Sequence, residues 1–209
     1  GNKDGTAIEW YDNGNKMSEK AYKNGIKHGE WMIWYDNGKK KTEGAYEQGK
    51  EYGKWISWYE NGQKESEGSY VDGLENGEWM VWHDNGNIKK TGIFDKGYEQ
   101  GKWVSYYEDG QPKKEIQFMR GKEHGKSTEW FQNGQKKIEQ VFVDGLPHGV
   151  CKTWHANGKM KSYVKFNQGK QDGKYIVWDE NGNKKEEGVY KNGKKLQRIE
   201  DDDEEDPIF

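Results

Sequence analysis

The chain has 209 residues, 30% hydrophobic and 34% charged, a balance that ordinarily belongs to disordered segments. Its 14% aromatic content, with 11 Trp and 29 Gly against 3 Pro, excludes disorder, because so large a side chain as Trp contributes only where it is buried. A formal net charge of −3 excludes a wholly basic nucleic-acid binder, and the scarcity of Leu, Ile and Val excludes an ordinary aliphatic core.

Self-similarity organises the chain. Gly5, Gly29, Gly53, Gly77, Gly101, Gly125, Gly149 and Gly173 follow one another at 24-residue steps without a slip. Counting each as place one, glycine also holds place ten (Gly14 to Gly182) and place twenty-one (Gly25 to Gly193) in every repeat. Place six is Trp10, Trp34, Trp58, Trp82, Tyr106, Trp130, Trp154 and Trp178, and place eighteen is always Tyr or Phe. The last four glycines, Gly44, Gly68, Gly92 and Gly188, all stand at place sixteen. Gly1 falls on place twenty-one of a repeat whose front is missing, so the array is expected to begin upstream.

Within each repeat the elements follow in order. A first stretch rich in Trp, Tyr, Ile and Val reads as a strand. Asn-Gly, or Asp109-Gly110 in the fifth repeat, then predicts a two-residue type I′ turn at places nine and ten. A second strand follows, and place twenty-one closes a second turn into the next repeat. All glycines at places one, ten and twenty-one are thus read as turn glycines. Eight β-hairpins result, sixteen strands in all, and at ~4.8 Å per strand they make a ribbon on the order of 75 Å long. The predicted register pairs place three with place sixteen. Where place sixteen is glycine, place three is Trp31, Trp55, Trp79 or Tyr175, as if a ring lay over its cross-strand glycine. Where place three is Ala7, Ser127 or Cys151, place sixteen is larger; only Trp103 with Ile116 breaks the exchange.

Stretches such as YKNGIKHGEWMIWYDNG and YEQGKEYGKWISWYENG resemble the MORN repeat in its Trp-rich 24-residue variant, and the YwqK-type antitoxin family in particular. The resemblance spans residues 1 to about 196. It implies an all-β, elongated, twisted antiparallel sheet of tandem hairpins, protein binding with neutralisation of a toxin as the specific role, and no catalysis.

The register also tests for chemistry. His28, His124 and His148 occupy place twenty-four, expected to be a polar connecting-turn position. His83 and His155 replace Tyr at place seven, and Cys151 replaces Trp at place three. His148, Cys151 and His155 cannot converge on one metal ion, since residues four apart on a strand lie ~13 Å apart. A Cys–His nucleophile pair fails for the same reason. No glycine pattern opens a helix to cradle phosphate. No catalytic, cofactor-binding or metal-binding residue is therefore expected, and no enzyme. The one cysteine cannot form an internal disulfide, and no apolar run approaches the ~18 residues of a membrane span.

Lysines at places twelve and thirteen (Lys40, Lys41, Lys136, Lys137, Lys184, Lys185) face acids at place eight (Asp12, Asp36, Glu60, Asp84, Glu108, Glu180) and read as a charge-compensated edge. The candidate partner-binding row is place seven: Tyr11, Tyr35, Tyr59, His83, Tyr107, Phe131 and His155. Trp34, Trp58, Trp82, Trp130, Trp154 and Trp178 at place six are read as structural. Residues 197–209, with the acidic run EDDDEED at 200–206, are expected to form a disordered tail after an array over 1–196. The expected partner is another protein, a toxin or an assembly component, with no nucleic acid. The alternative is a cell-envelope scaffold contacting membrane, glycan or a larger assembly. A bacterial cytoplasmic or envelope location fits both.

Overall fold

The computed structural model describes residues 3–196, so the expected acidic tail lies outside the described residues. The hairpins are β1 (Gly5–Trp10) with β2 (Lys16–Lys23), β3 (Ile26–Trp34) with β4 (Lys40–Glu47), and β5 (Lys50–Trp58) with β6 (Lys64–Val71). The fourth opens with β7 (Leu74–Glu75) and β8 (Gly77–Trp82) and returns in β9 (Ile88–Asp95). Then come β10 (Tyr98–Tyr106) with β11 (Pro112–Met119), β12 (Lys122–Trp130) with β13 (Lys136–Val143), and β14 (Leu146–Trp154) with β15 (Met160–Asn167). The last is β16 (Lys170–Trp178) with β17 (Lys184–Lys191), followed by the short β18 (Lys194–Lys195). Each strand pairs antiparallel with its chain neighbours, except that β7 and β8 both pair with β6 and act together as one strand, giving one open meander. Two strands exceed the sixteen expected, because Asn76 interrupts one strand into β7 and β8 and because β18 adds a partner to β17.

The predicted register holds in all eight repeats. Ala7 pairs with Lys20, Trp31 with Gly44, Trp55 with Gly68, Trp79 with Gly92, Trp103 with Ile116, Ser127 with Gln140, Cys151 with Val164 and Tyr175 with Gly188. The turn expected to set it is different. Tyr11 N–H donates to Asn15 O and Gly14 N–H to Tyr11 O, at 2.8 and 2.9 Å, and only Gly14 of the loop has positive φ (84°). This is a three-residue loop, a type I turn with a left-handed glycine, not a two-residue type I′ turn. A one-residue bulge between Glu9 and Trp10 and their partners offsets the longer loop and returns the pairing to the expected register. The type I′ turn is the other one: place twenty has φ of 45–53° in all eight repeats, followed by glycine at place twenty-one with φ of 73–84°.

Place one is not a turn either. Gly29 lies inside β3 with φ 95°, where three residues of β3 fall opposite Ala21 of β2 and the register shifts. The other place-one glycines also have positive φ, between 65° and 113°, a region closed to most side chains. The histidines at place twenty-four consequently sit within strands, not in a connecting turn.

Alternation along the strands separates two faces. Places one, three, five, fourteen, sixteen and eighteen share face A, and places two, four, six, fifteen, seventeen, nineteen and twenty-two share face B. Face A carries a ladder of rings, Tyr22, Trp31, Tyr46, Trp55, Tyr70, Trp79, Phe94, Trp103 and Phe118. Successive centroids are 4.9–6.5 Å apart with edge-to-face planes, the arrangement aromatic quadrupoles favour. Lysine side chains lie over this ladder, among them Lys27 over Tyr46 and Lys90 over Trp103, so Trp103 is only 3% exposed in a one-layer sheet. The glycines at place sixteen do make room for rings, but mostly for the ring of the following repeat. A Cβ on Gly44, Gly68 or Gly92 would overlap Trp55, Trp79 or Trp103 respectively, while Gly188 lies under its own partner, Tyr175. This removes the fifth-repeat exception, since Trp103 lies over Gly92 and owes nothing to Ile116.

Candidate interaction surface

Both turn rows are stitched from repeat to repeat. At the type I′ edge each place-twenty-one N–H donates to the place-twenty-three carbonyl of the preceding repeat, as in Gly49 to Lys27 and Gly97 to Glu75, at 2.6–2.9 Å throughout. At the other edge, place nine works in two directions. Asn61 Oδ1 accepts from Gln63 N–H at 2.9 Å, closing its own loop, and its Nδ2 donates to Asp84 O of the next repeat at 2.7 Å. Asp109, which has no amide to donate, keeps the first bond to Gln111 N–H, and its other oxygen accepts from Gln132 Nε2 of the next repeat at 3.0 Å.

The place-seven row is built into the same stitching. The hydroxyls of Tyr11, Tyr35, Tyr59 and Tyr107 donate to the place-six carbonyls of Trp34, Trp58, Trp82 and Trp130 at 2.7–2.8 Å. His83 and His155 reach Tyr106 O and Trp178 O through Nε2 at 3.1 Å, which places the proton on that nitrogen because the carbonyl only accepts. Burial pushes the Tyr35 and Tyr59 phenols above their ordinary range, with nearby Glu65 adding to it. All seven rings, Phe131 included, are half-buried, so polar atoms point into the array and part of each ring stays accessible.

The place-six indoles lie on face B beside a charge pattern that differs from the one expected across the turn. Lys16, Lys40, Lys64, Lys136 and Lys184 at place twelve pair with Glu19, Glu43, Glu67, Glu139 and Glu187 three residues on, at 2.5–2.9 Å. Four of these lysines also lie 5.1–5.7 Å from the Trp34, Trp58, Trp82 or Trp154 ring of the next repeat. The stripe is thus internally neutralised. Cys151 is buried, its thiol pushed up by desolvation and 3.7 Å from Gln140 Oε1, an unreactive setting. Among the described residues no group of three or more His, Cys, Asp or Glu is placed to hold a metal ion. No helix among them is long and apolar enough to cross a membrane.

One surface escaped the sequence reading. On face B along the type I′ edge, Val71, Leu74, Ile93, Tyr98, Met119, Val141, Val143 and Leu146 are all 37–60% exposed. Val71 pairs with Leu74, and Val143 with Leu146, across their turns, while Tyr98 faces Asp95 and Met119 faces Lys122, so the strip over repeats three to six carries two charged interruptions in its edge row. Its flanks are mostly charged: Glu47 and Lys50 on one side, Lys165, Lys170, Lys191 and Lys194 on the other, with exposed Val189 among the latter. The available signal was the contrast at places seventeen, nineteen and twenty-two between these middle repeats and their neighbours.

An uninterrupted run of stacked hairpins, with two open faces and repeat-to-repeat bonds at both edges, defines a β-hairpin repeat protein. The family model described as MORN repeat variant matches residues 3–24, 27–48, 51–72, 75–96, 99–119, 123–144, 147–168 and 171–192. The chain belongs to this family, which is generally non-catalytic, and carries eight of its repeats. No curated protein matches the chain.

Proposed function

We propose that the protein is a non-enzymatic binding module that holds a partner protein along its ribbon, with an antitoxin or immunity role as the specific form. The observation that carries this is the exposed apolar strip on repeats three to six, because monomeric proteins seldom leave so many large apolar side chains uncovered along one edge of a face, here broken only by Asp95 and Lys122 in the edge row. The half-buried ring edges of Tyr11, Tyr35, Tyr59, His83, Tyr107, Phe131 and His155 form a second contact row at the opposite turn edge. The two rows lie on one stitched sheet, so a partner meets a surface that is already ordered and loses little entropy in ordering it.

The test is co-purification with the product of the adjacent gene, repeated with Leu74→Glu plus Leu146→Glu. Both side chains are about half exposed, so these changes should leave the fold within ~0.5 kcal/mol of the parent while abolishing capture. Unaltered capture by the double variant would overturn the strip as the binding surface. Tyr35→Ala with Tyr59→Ala asks the same of the second row, in a background where melting is measured in parallel.

A further inference from the structure

We propose that the segment 197–209 of this same chain occupies one end of the apolar strip, so that a partner must displace it. The described chain ends at Leu196, just past β18 on the outer side of repeat eight. Leu146 lies in β14, four strand spacings away, or roughly 19 Å. Gln197 to Ile208 are 12 residues and reach up to ~40 Å when extended, ample to arrive there.

Charge sets the path. Between β18 and the strip, face B presents Lys194, Lys170 and Lys165, all exposed and, among the described residues, without a carboxylate partner. Lys191 stands beside them, paired with Asp172 at 3.4 Å. Seven residues, Glu200-Asp201-Asp202-Asp203-Glu204-Glu205-Asp206, can reach roughly 23 Å, enough to cover the three strand spacings, about 14 Å, between Lys194 and Lys165. Beyond it come Pro207, Ile208 and Phe209, apolar residues delivered to Val141, Val143 and Leu146. A short tether supplies millimolar effective concentration, so a contact of only millimolar intrinsic affinity is about half occupied. The inference does not need a partner to exist, and its failure leaves the binding-module reading standing.

The test uses the full chain, isotope-labelled, with a nitroxide at Pro207→Cys and Cys151→Ser to remove the second thiol. Serine already fills that place in repeat six, as Ser127, so the array should tolerate it. The expected result is at least a ~2-fold loss of amide signal at Val143, Leu146 and Lys165, reversed in the Lys165→Glu, Lys170→Glu, Lys194→Glu variant and largely reversed at ~1 M salt, where the Debye length falls to ~3 Å. Signal loss confined to β17 and β18, or indifferent to the three charge reversals, would overturn the proposal. Loss seen only when spin-labelled chains are mixed with separate isotope-labelled chains would assign the strip to a second copy and overturn it equally.

Discussion

Gly68→Ala tests the ring-over-glycine packing most directly. Gly68 has ordinary extended φ, so alanine meets no backbone penalty and on propensity alone should stabilise a strand by ~0.5–1 kcal/mol. The structure reverses the sign. The added Cβ would lie far inside van der Waals contact of Cε2 and Cδ2 of Trp79. That indole cannot step aside freely: Tyr70 and Phe94 hold it edge-on with centroids 5.3 and 5.8 Å away, and its Nε1 donates to Ser69 O at 3.4 Å. Overpacking costs ~1–3 kcal/mol, and weakening an edge-to-face pair adds ~0.5–1.5 kcal/mol. Set against the propensity gain, the expected net loss is ~2 kcal/mol, a fall of ~1 M in the urea midpoint at a slope of ~2 kcal/mol/M. Trp fluorescence and circular dichroism would follow the transition. A double-mutant cycle then identifies which ring is responsible. Trp79→Ala should make Gly68→Ala neutral or stabilising, whereas Trp55→Ala, which removes the directly paired residue, should leave its cost intact. A neutral Gly68→Ala, or relief by Trp55→Ala instead, would refute the assignment of each glycine to the following repeat's ring.

Asn61→Asp keeps the loop-closing acceptor for Gln63 N–H and loses the donor to Asp84 O, so a thermal melt should show a cost of ~0.5–1.5 kcal/mol. Tyr59→Phe removes the hydroxyl bond to Trp82 O and should cost ~1 kcal/mol by urea titration while preserving the fold, since Phe131 already stands at that place. Desolvation, followed by the hydrogen bond to Glu51, pushes the Tyr46 phenol up to about 12 from its ordinary 10. Because the folded value is the higher one, its contribution to stability is complete below pH 10 and is lost as pH rises towards 12, which phenolate absorbance and denaturant midpoints at alkaline pH would record.

The period, the hairpins and the pairing register were legible because each rests on local chemistry repeated eight times. The turn types were not. Asn13-Gly14 carries the strongest type I′ signal in the repeat, yet a left-handed glycine is equally the requirement of a type I turn with a bulge. Meanwhile the real type I′ turns place Gln48, Lys96 and Arg120 at φ of 49–51°, residues with no preference for that region. There the ladder bonds on both sides, and the stitch from Gly49 N–H to Lys27 O, over-determine the backbone and outweigh local propensity. The glycine–ring pairing was legible as a correlation between places three and sixteen, but a correlation within one repeat could not reveal that the contact crosses to the next.

The bonds between repeats also explain where this chain is free to vary. Places seven, nine and twenty-one each hold a polar group or backbone N–H that reaches a neighbouring repeat, and substitutions there are compensated: Asp109 gains Gln132, and His83 and His155 keep the carbonyl contact that tyrosine makes elsewhere. Places seventeen, nineteen and twenty-two on face B carry no side-chain stitch of that kind, and there large apolar side chains gather in repeats three to six, among Asp95, Gln117 and Lys122, while the outer repeats are mostly polar or small apart from Ile26 and Val189. Packing does not demand this change, because the same strands and turns form with either set. A repeat array needs the same stacking contacts at every step to remain a continuous sheet, so departures from uniformity that stacking does not require are the positions at which recognition can be specified. By that reasoning the place-seven row, bonded inward wherever it is Tyr or His, serves the scaffold with its polar atoms and leaves only its ring edges for a partner. The face B strip is where repeats three to six concentrate exposed apolar side chains in a pattern a partner could read.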